Sequence, residues 1–167
     1  MLGLVRLKAV PWQRIHNWTC TGCGECCQLQ VQLTTTEWLD LTRTYGYSIA
    51  TQSIDGFSIN KAIDGWCPFL YRTTTGCACS LQQTKPLACR LWPFRISDHP
   101  RYGFKEEANF NHRGGTFYVY AIPYCRGIKY GTPTEHFVKN VLPEFVDLRL
   151  GFRRKQVFTT GKHVAIG

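Results

Sequence analysis

The stretch Cys20-Thr-Gly-Cys-Gly-Glu-Cys-Cys27 places four cysteines within eight residues. A packed core seldom concentrates cysteines in so short a segment, so the run indicates a metal site. Gaps of two residues let successive sulfurs turn inward onto one metal centre. Gly22 and Gly24 allow backbone conformations that a β-carbon would obstruct. The candidate ligands of this run are Cys20, Cys23, Cys26 and Cys27.

The spacing of the run bears on the kind of metal. Three cysteines two residues apart, completed by a distant cysteine, form the arrangement of bacterial ferredoxins, whereas zinc sites usually take two separated pairs. We therefore expect an iron–sulfur cluster, 4Fe-4S in type and one or two in number, with zinc as the alternative. The adjacent pair Cys26-Cys27 is unusual for either metal. Because neighbouring side chains diverge, we predict that its two sulfurs face different metals, or that one faces the core.

Five more cysteines follow the run and offer the distant ligand: Cys67, Cys77, Cys79, Cys89 and Cys125. Cys67-Pro68 has the Cys-Pro form that often closes a cubane site. Cys89 falls on a short helix predicted to begin at Pro86 and to end before Pro93. We therefore expect Cys67 or Cys89 to complete the site of the first run.

The composition is that of a folded, basic protein. The chain has 167 residues, of which 44% are hydrophobic and 14% aromatic, and this suits one domain with a core of its own. Its formal net charge of +9 suggests an acidic partner, either nucleic acid, an anionic protein face or a bound anionic cofactor. A generally basic surface without a specific partner is the alternative. A four-thiolate cubane carries about −2, so part of the positive charge would balance the site.

The sequence also bears on the compartment. The first ten residues lack the pattern of a secretory signal, and no stretch approaches about 18 uncharged apolar residues, so we expect no membrane span. The expected location is cytoplasmic. In a reducing cytosol, nine cysteines are more often metal ligands or catalytic thiols than disulfides.

Local signals predict a mixture of helices and strands. Thr34-Thr-Thr-Glu37 is a capping box for a helix that reaches Tyr45, and Asp55-Gly56 is a hairpin turn. A second capping box, with Thr132 as N-cap, predicts a helix from Pro133. Strands are predicted at 94–96, 102–104 and 116–122.

These elements predict an α+β fold class, small and loop-rich around a cysteine metal site. We expect residues 1–167 to form a single domain. Its cysteine-cluster core covers about residues 18–95, and a strand-helix extension covers 96–167.

The segments that carry the cysteines also carry a family resemblance over about residues 18 to 95. They are the first run, then Trp66-Cys-Pro-Phe-Leu70, Cys79-Ser-Leu81 and Lys85-Pro-Leu-Ala-Cys-Arg-Leu-Trp-Pro93. In this order and spacing they resemble the CxxCxxCC family, the YkgJ-type cysteine cluster proteins, whose relatives include flagellin lysine N-methylase. The resemblance implies a zinc- or iron-chelating domain whose ligand set is Cys20, Cys23, Cys26, Cys27, Cys67, Cys79 and Cys89.

The chain departs from the family pattern at three positions. Gln82 stands where the family commonly has an aromatic residue, and Lys85 stands where it has arginine before the proline. Neither change removes a ligand. Cys77 is an additional cysteine, and for Cys77 and Cys125 the sequence leaves both ligation and simple burial open.

Three functions are compatible with these features, and whether the chain is an enzyme stays open. The leading hypothesis is an iron–sulfur protein that handles electrons or serves as an accessory or assembly subunit of a larger complex, docking a protein partner through a basic face. The resemblance to flagellin lysine N-methylase raises cluster-dependent lysine methylation, which is disfavoured because no second domain for S-adenosylmethionine is evident. The third is a zinc module that contacts nucleic acid through the basic segments Arg95–Lys105 and Arg149–Lys155.

Overall fold

The structure, a computed structural model, describes residues 8–161, and these contain four α-helices and several small antiparallel sheets. Helix accounts for 30% and strand for 27%, so the predicted α+β fold class is confirmed. The strands are β1 (Val10–Pro11), β2 (Ile15–Trp18), β3 (Gln32–Leu33), β4 (Ala50–Ser53), β5 (Gly56–Ile59), β6 (Leu70–Thr73), β7 (Gly76–Cys79), β8 (Phe94–Ser97), β9 (Asn109–His112), β10 (Gly115–Ala121) and β11 (Ile128–Tyr130).

The helices are α1 (Thr35–Tyr45), α2 (Leu87–Leu91), α3 (Lys105–Ala108) and α4 (Leu142–Leu150). Within residues 8–161, none of them has the length and apolar character needed to cross a membrane. The described residues divide into two compact units, which we name by their content. The cysteine unit comprises residues 20–92 and 159–161, and the sheet unit comprises residues 8–19 and 93–158.

The cysteine unit is built from one three-stranded sheet, one hairpin and two helices. Strand β5 lies between β3 and β4, and β6 pairs with β7. Burial of apolar side chains is the main stabilising contribution in a unit of this size. Its core residues are Val31, Leu33, Leu41, Ala50, Ile59, Cys67, Phe69 and Leu81.

Helix α1 begins at the predicted capping box, and this box also organises α2. The Thr34 hydroxyl accepts from the Glu37 backbone N–H at 3.2 Å, and the Glu37 carboxylate accepts from the Thr34 N–H at 2.8 Å. The other carboxylate oxygen of Glu37 accepts from the N–H of Leu87, the first residue of α2, at 2.6 Å. One side chain therefore satisfies donors at the starts of two helices, and α2 carries Cys89.

The sheet unit has β10 at its centre, with β1 and β8 as neighbours and β9 paired along its other end, while β11 pairs with β2. The predicted strand at 116–122 corresponds to β10, and the one at 94–96 corresponds to β8. Aromatic side chains fill the core. Trp18 meets Phe94 and Phe145 edge to face, with ring centroids 5.7 and 5.4 Å apart.

Two predicted features of the sheet unit are wrong. Thr134, not Thr132, caps the helical segment, because the Thr134 hydroxyl accepts from the Phe137 N–H at 3.1 Å. A π-helical turn (Phe137–Val141) then precedes α4, which suits Pro143, since proline has no N–H to give to the preceding turn. The strand predicted at 102–104 is absent, because Phe104 has the left-handed φ of 50° and leads into α3 instead.

Candidate metal centre

Five thiols from four segments of the cysteine unit interact electrostatically with one another, and we call them the thiol cluster. Cys26 and Cys27 come from a 3₁₀ turn (Glu25–Gln28), and the others come from the loop before β6, the end of β7, and α2. The Cys26 thiol is hydrogen-bonded to that of Cys27, and charge on Cys26 acts on the three remaining thiols. The members are Cys26, Cys27, Cys67, Cys79 and Cys89.

The first two members are fixed by a tight turn. Gly24 has a φ of 76°, which opens the 3₁₀ turn, and its carbonyl accepts from the Cys27 N–H at 2.8 Å. The Cys27 carbonyl in turn accepts from the Cys67 N–H at 2.9 Å. Cys27 packs against the core of the cysteine unit, which agrees with the second of the two arrangements predicted for this pair, and its thiol also interacts with that of Cys26.

The other members are placed by strand and helix ends. Cys79 is the last residue of β7, opposite Leu70 in β6, and its N–H donates to the Gly161 carbonyl at 3.2 Å. Cys89 lies in the first turn of α2, where its N–H donates to the Pro86 carbonyl at 3.0 Å. The cluster therefore borders the core of the cysteine unit, with Cys67 itself among the core residues.

Burial makes the free thiolates of this cluster costly. It raises the pKa of Cys67 and of Cys79, and burial followed by charge on Cys67 and Cys79 raises the pKa of Cys89 to about 12. The pKa of Cys26 is raised chiefly by its hydrogen bond to Cys27 and then by burial. A bound metal cation reverses this balance, because it coordinates and stabilises the deprotonated sulfur. An all-sulfur set of this kind fits a thiophilic metal.

The remaining residues of the first run lie against Cys77. The Cys77 N–H donates to the Gly22 carbonyl at 2.8 Å, and its thiol lies 3.8 Å from the Cys23 carbonyl oxygen. The Gly22 N–H points at the Cys20 sulfur at 3.4 Å. The first run is therefore folded over the β6–β7 hairpin, and Cys77, the additional cysteine, is the residue that it contacts there.

The thiols are neighbours and do not form a closed ligand shell. Between residues 8 and 161, no three Cys, His, Asp or Glu side chains are drawn together as ligands of a single metal ion. The backbone contacts above hold the cysteine segments in place, and the rotamers of the thiols are the remaining freedom.

A family model described as "CxxCxxCC: Putative zinc- or iron-chelating domain" matches residues 19–116, more than half of the chain. The chain belongs to the CxxCxxCC family. The resemblance found in the sequence is thereby confirmed, and metal binding is supported at the level of zinc or iron. Searches among curated proteins and among solved structures gave no match.

One cysteine of this CxxCxxCC protein belongs to the sheet unit. The Cys125 sulfur accepts a hydrogen bond from the Trp18 indole N–H at 3.3 Å, and the Cys125 N–H donates to the Ile122 carbonyl at 3.3 Å. These contacts favour a packing role for Cys125. It lies outside the unit that contains the seven ligands implied by the family.

Sequence reasoning missed two cations at the metal centre of this CxxCxxCC protein. Lys61 donates to the carbonyl oxygens of Cys27, at 2.8 Å, and Leu29, and its charge lowers the pKa of Cys67 against the effect of burial. Lys85 acts in the same way on other members of the thiol cluster. Lys85 stood out in the sequence only as a departure from the family pattern, and no sequence signal marked Lys61.

Proposed function

We propose that this CxxCxxCC protein holds an iron–sulfur cluster and acts as an electron-handling or accessory subunit of a larger complex. The observation that carries the proposal is the thiol cluster, in which five sulfur donors from four chain segments interact electrostatically and four of them border the core. A tetrahedral zinc site needs four ligands around one ion. The spacing of Cys20, Cys23 and Cys26, completed by a distant cysteine, supports the cluster with several irons instead.

The residues proposed to hold the group are the seven cysteines of the family ligand set. Members of the thiol cluster provide the distant ligands, and Cys20 and Cys23 provide the remaining sulfurs of the first run. When bound, an iron–sulfur cluster takes up and releases an electron. The chain itself excludes water by burying Cys67 and supplies backbone N–H groups near sulfur, such as Gly22 N–H on Cys20.

The docking role is supported by charge. The formal net charge is +9, and binding of a cluster leaves a net positive protein that suits an acidic partner face. The segment Arg149–Lys155 supports nucleic-acid binding less well. Within it, Arg153 pairs with the buried Glu144 at 2.9 Å and donates to the Lys155 carbonyl at 2.7 Å, so its guanidinium is engaged inside the sheet unit.

Anaerobic purification of the full chain tests the proposal. The expected product is brown, contains iron and acid-labile sulfide, and bleaches reversibly when dithionite is added and then removed by oxidation. Colourless protein with stoichiometric zinc would refute the iron–sulfur assignment. A brown protein whose absorbance does not respond to reductant would refute electron handling and leave the accessory role as the surviving form of the proposal.

A further inference from the structure

Lys85 is a buried cation, with only 7% of its surface exposed. It lies two residues before the short helix α2 and four residues before Cys89. Its ammonium donates to the hydroxyls of Thr159, at 3.5 Å, and Thr160, at 3.2 Å, and to the carbonyl oxygen of Thr160. All three protons of the ammonium therefore have an acceptor.

These acceptors satisfy the hydrogen-bonding capacity of the Lys85 ammonium but do not neutralise its charge. Within residues 8–161, the oxygens that receive hydrogen bonds from Lys85 are all neutral, and none is a carboxylate. A buried ammonium is stable when an anion compensates its charge. The thiols of Cys26, Cys79 and Cys89 are among the ionisable groups on which the charge of Lys85 acts.

The oxygens that hold Lys85 come from a separate piece of chain, Thr159–Gly161, which we call the strap. Thr159 and Thr160 are buried, and the Gly161 carbonyl accepts from the Cys79 N–H at 3.2 Å. Gly161 has a φ of 57°, and a β-carbon there would lie 3.3 Å from the Cys79 β-carbon and nitrogen. The strap thus contacts the lysine and a proposed ligand at once, although it lies outside the residues 19–116 that match the family.

We propose that Lys85 is the internal counter-cation of the metal centre and that the strap is the element that positions it. This inference rests on the proposed function in that a metal–thiolate group must be bound. With the metal bound, several thiolates leave an excess of negative charge, and a fixed ammonium nearby offsets it at every oxidation state. Lys85 is a positioning residue, since the thiols and not the lysine bind the metal.

The charge of Lys85 predicts a direction for its effect. Reduction adds an electron to the cluster, so a neighbouring cation stabilises the reduced form more than the oxidised form. Removing the cation therefore lowers the midpoint potential and weakens retention of the metal. Outer residues that support metal ligands typically contribute about 10- to 100-fold to metal affinity.

The test compares Lys85→Met with Lys129→Met in the full chain purified anaerobically. Lys129 is an exposed lysine of β11, a strand of the sheet unit, so its substitution changes the net charge equally at a residue that does not belong to the cysteine unit. For Lys85→Met we expect about tenfold faster loss of iron to a ferrous chelator. We also expect a tenfold shift in the ratio of oxidised to reduced cluster, which is about 59 mV to lower potential for one electron. Lys129→Met should match the wild type in both.

A second variant separates charge from folding. The double substitution Thr159→Ala/Thr160→Ala keeps the ammonium but removes two hydroxyls that fix it, and we expect about threefold faster iron loss with the fold retained. If Lys85→Met does not fold, the rate of iron loss from this double variant tests the inference instead. Iron loss equal to that of Lys129→Met would then overturn the inference.

The outcomes also separate the inference from the proposed function. Wild-type protein that contains neither iron nor zinc refutes both. Wild-type protein that holds iron, with Lys85→Met equal to Lys129→Met in release rate and potential, overturns the counter-cation and leaves the cluster assignment standing. Should the metal be zinc, the release rate and the gain in unfolding temperature on metal binding replace the potential, and both are expected to fall in Lys85→Met.

Discussion

Substitution of Gly24 by alanine is the sharpest test of how the first cysteine run is folded. Gly24 has a φ of 76° at the start of the 3₁₀ turn, a conformation in which an L-residue is strained. A β-carbon at this position would lie 2.9 Å from the Cys77 sulfur and 3.1 Å from the Cys77 β-carbon. Both separations are shorter than ordinary van der Waals contact, so either the turn or the β6–β7 hairpin must move.

The expected cost follows from these two effects. The left-handed conformation costs an alanine about 1–2 kcal/mol. Overpacking of a tight contact adds about 1–3 kcal/mol, so Gly24→Ala should lower the free energy of unfolding by about 2–5 kcal/mol in total. Gly65 is a matched control, because its φ is 82° and no described atom lies within 4 Å of its ideal β-carbon. Gly65→Ala should show the conformational cost alone.

Urea unfolding of the metal-free protein measures the two costs. The difference between the variants, about 1–3 kcal/mol, isolates the contact with Cys77. Replacing Cys77 by alanine in the Gly24→Ala background removes the nearer atom and should recover part of this difference, since the 3.1 Å contact stays. Equal costs for Gly24→Ala and Gly65→Ala, with no recovery, would refute the packing of the first run against Cys77.

Three further predictions concern other parts of the chain. Cys89→Ala should abolish metal retention measured by elemental analysis, whereas Cys125→Ala, in the sheet unit, should retain the metal fully. Hydrogen bonds from Arg113 are the main cause of a lowered pKa at Asp147, and burial opposes them. The Asp147 carboxylate of the unfolded state therefore takes up its proton at a higher pH than that of the folded state. Chemical unfolding should therefore give Asp147→Asn a free energy of unfolding about 1–2 kcal/mol below that of the wild type above about pH 4. This difference should vanish at lower pH. Thr34→Ala should cost about 1 kcal/mol by the same assay through loss of the N-cap.

Features whose information is local could be predicted from the sequence. The capping box at Thr34 and Glu37 fixes the start of α1 through atoms three residues apart, and Asp55-Gly56 marks the hairpin between β4 and β5 in the same way. The second box failed for a local reason too. Thr132 and Thr134 are both residue types that cap helices, and they lie two residues apart, so the sequence alone does not decide which hydroxyl accepts from an N–H of the helix.

The candidate site was predictable in its chemistry and not in its arrangement. Cysteine spacing identified the residues, because ligand types and short gaps are visible in sequence. The contact of Cys77 with the first run spans 54 residues, and the hydrogen bonds from Lys85 to the strap span 74 and 75. No periodicity or motif records contacts over such separations, and a lone buried lysine or a pair of threonines carries no signal of its own.

The strap contacts Lys85 and Cys79 although it lies more than 40 residues beyond the matched family domain. The cysteine unit ends its first stretch at Trp92 and resumes at Thr159, so 66 residues lie between. Were these residues a flexible loop, closing it would cost about 4 kcal/mol of chain entropy, which a few hydrogen bonds to Lys85 and Cys79 could barely offset. They fold instead as the sheet unit with a core of its own, in which Phe94 and Phe145 are fully buried. Packing of that core orders the intervening residues themselves, and the hydrogen bonds of the strap order residues 159–161 against Lys85 and Cys79.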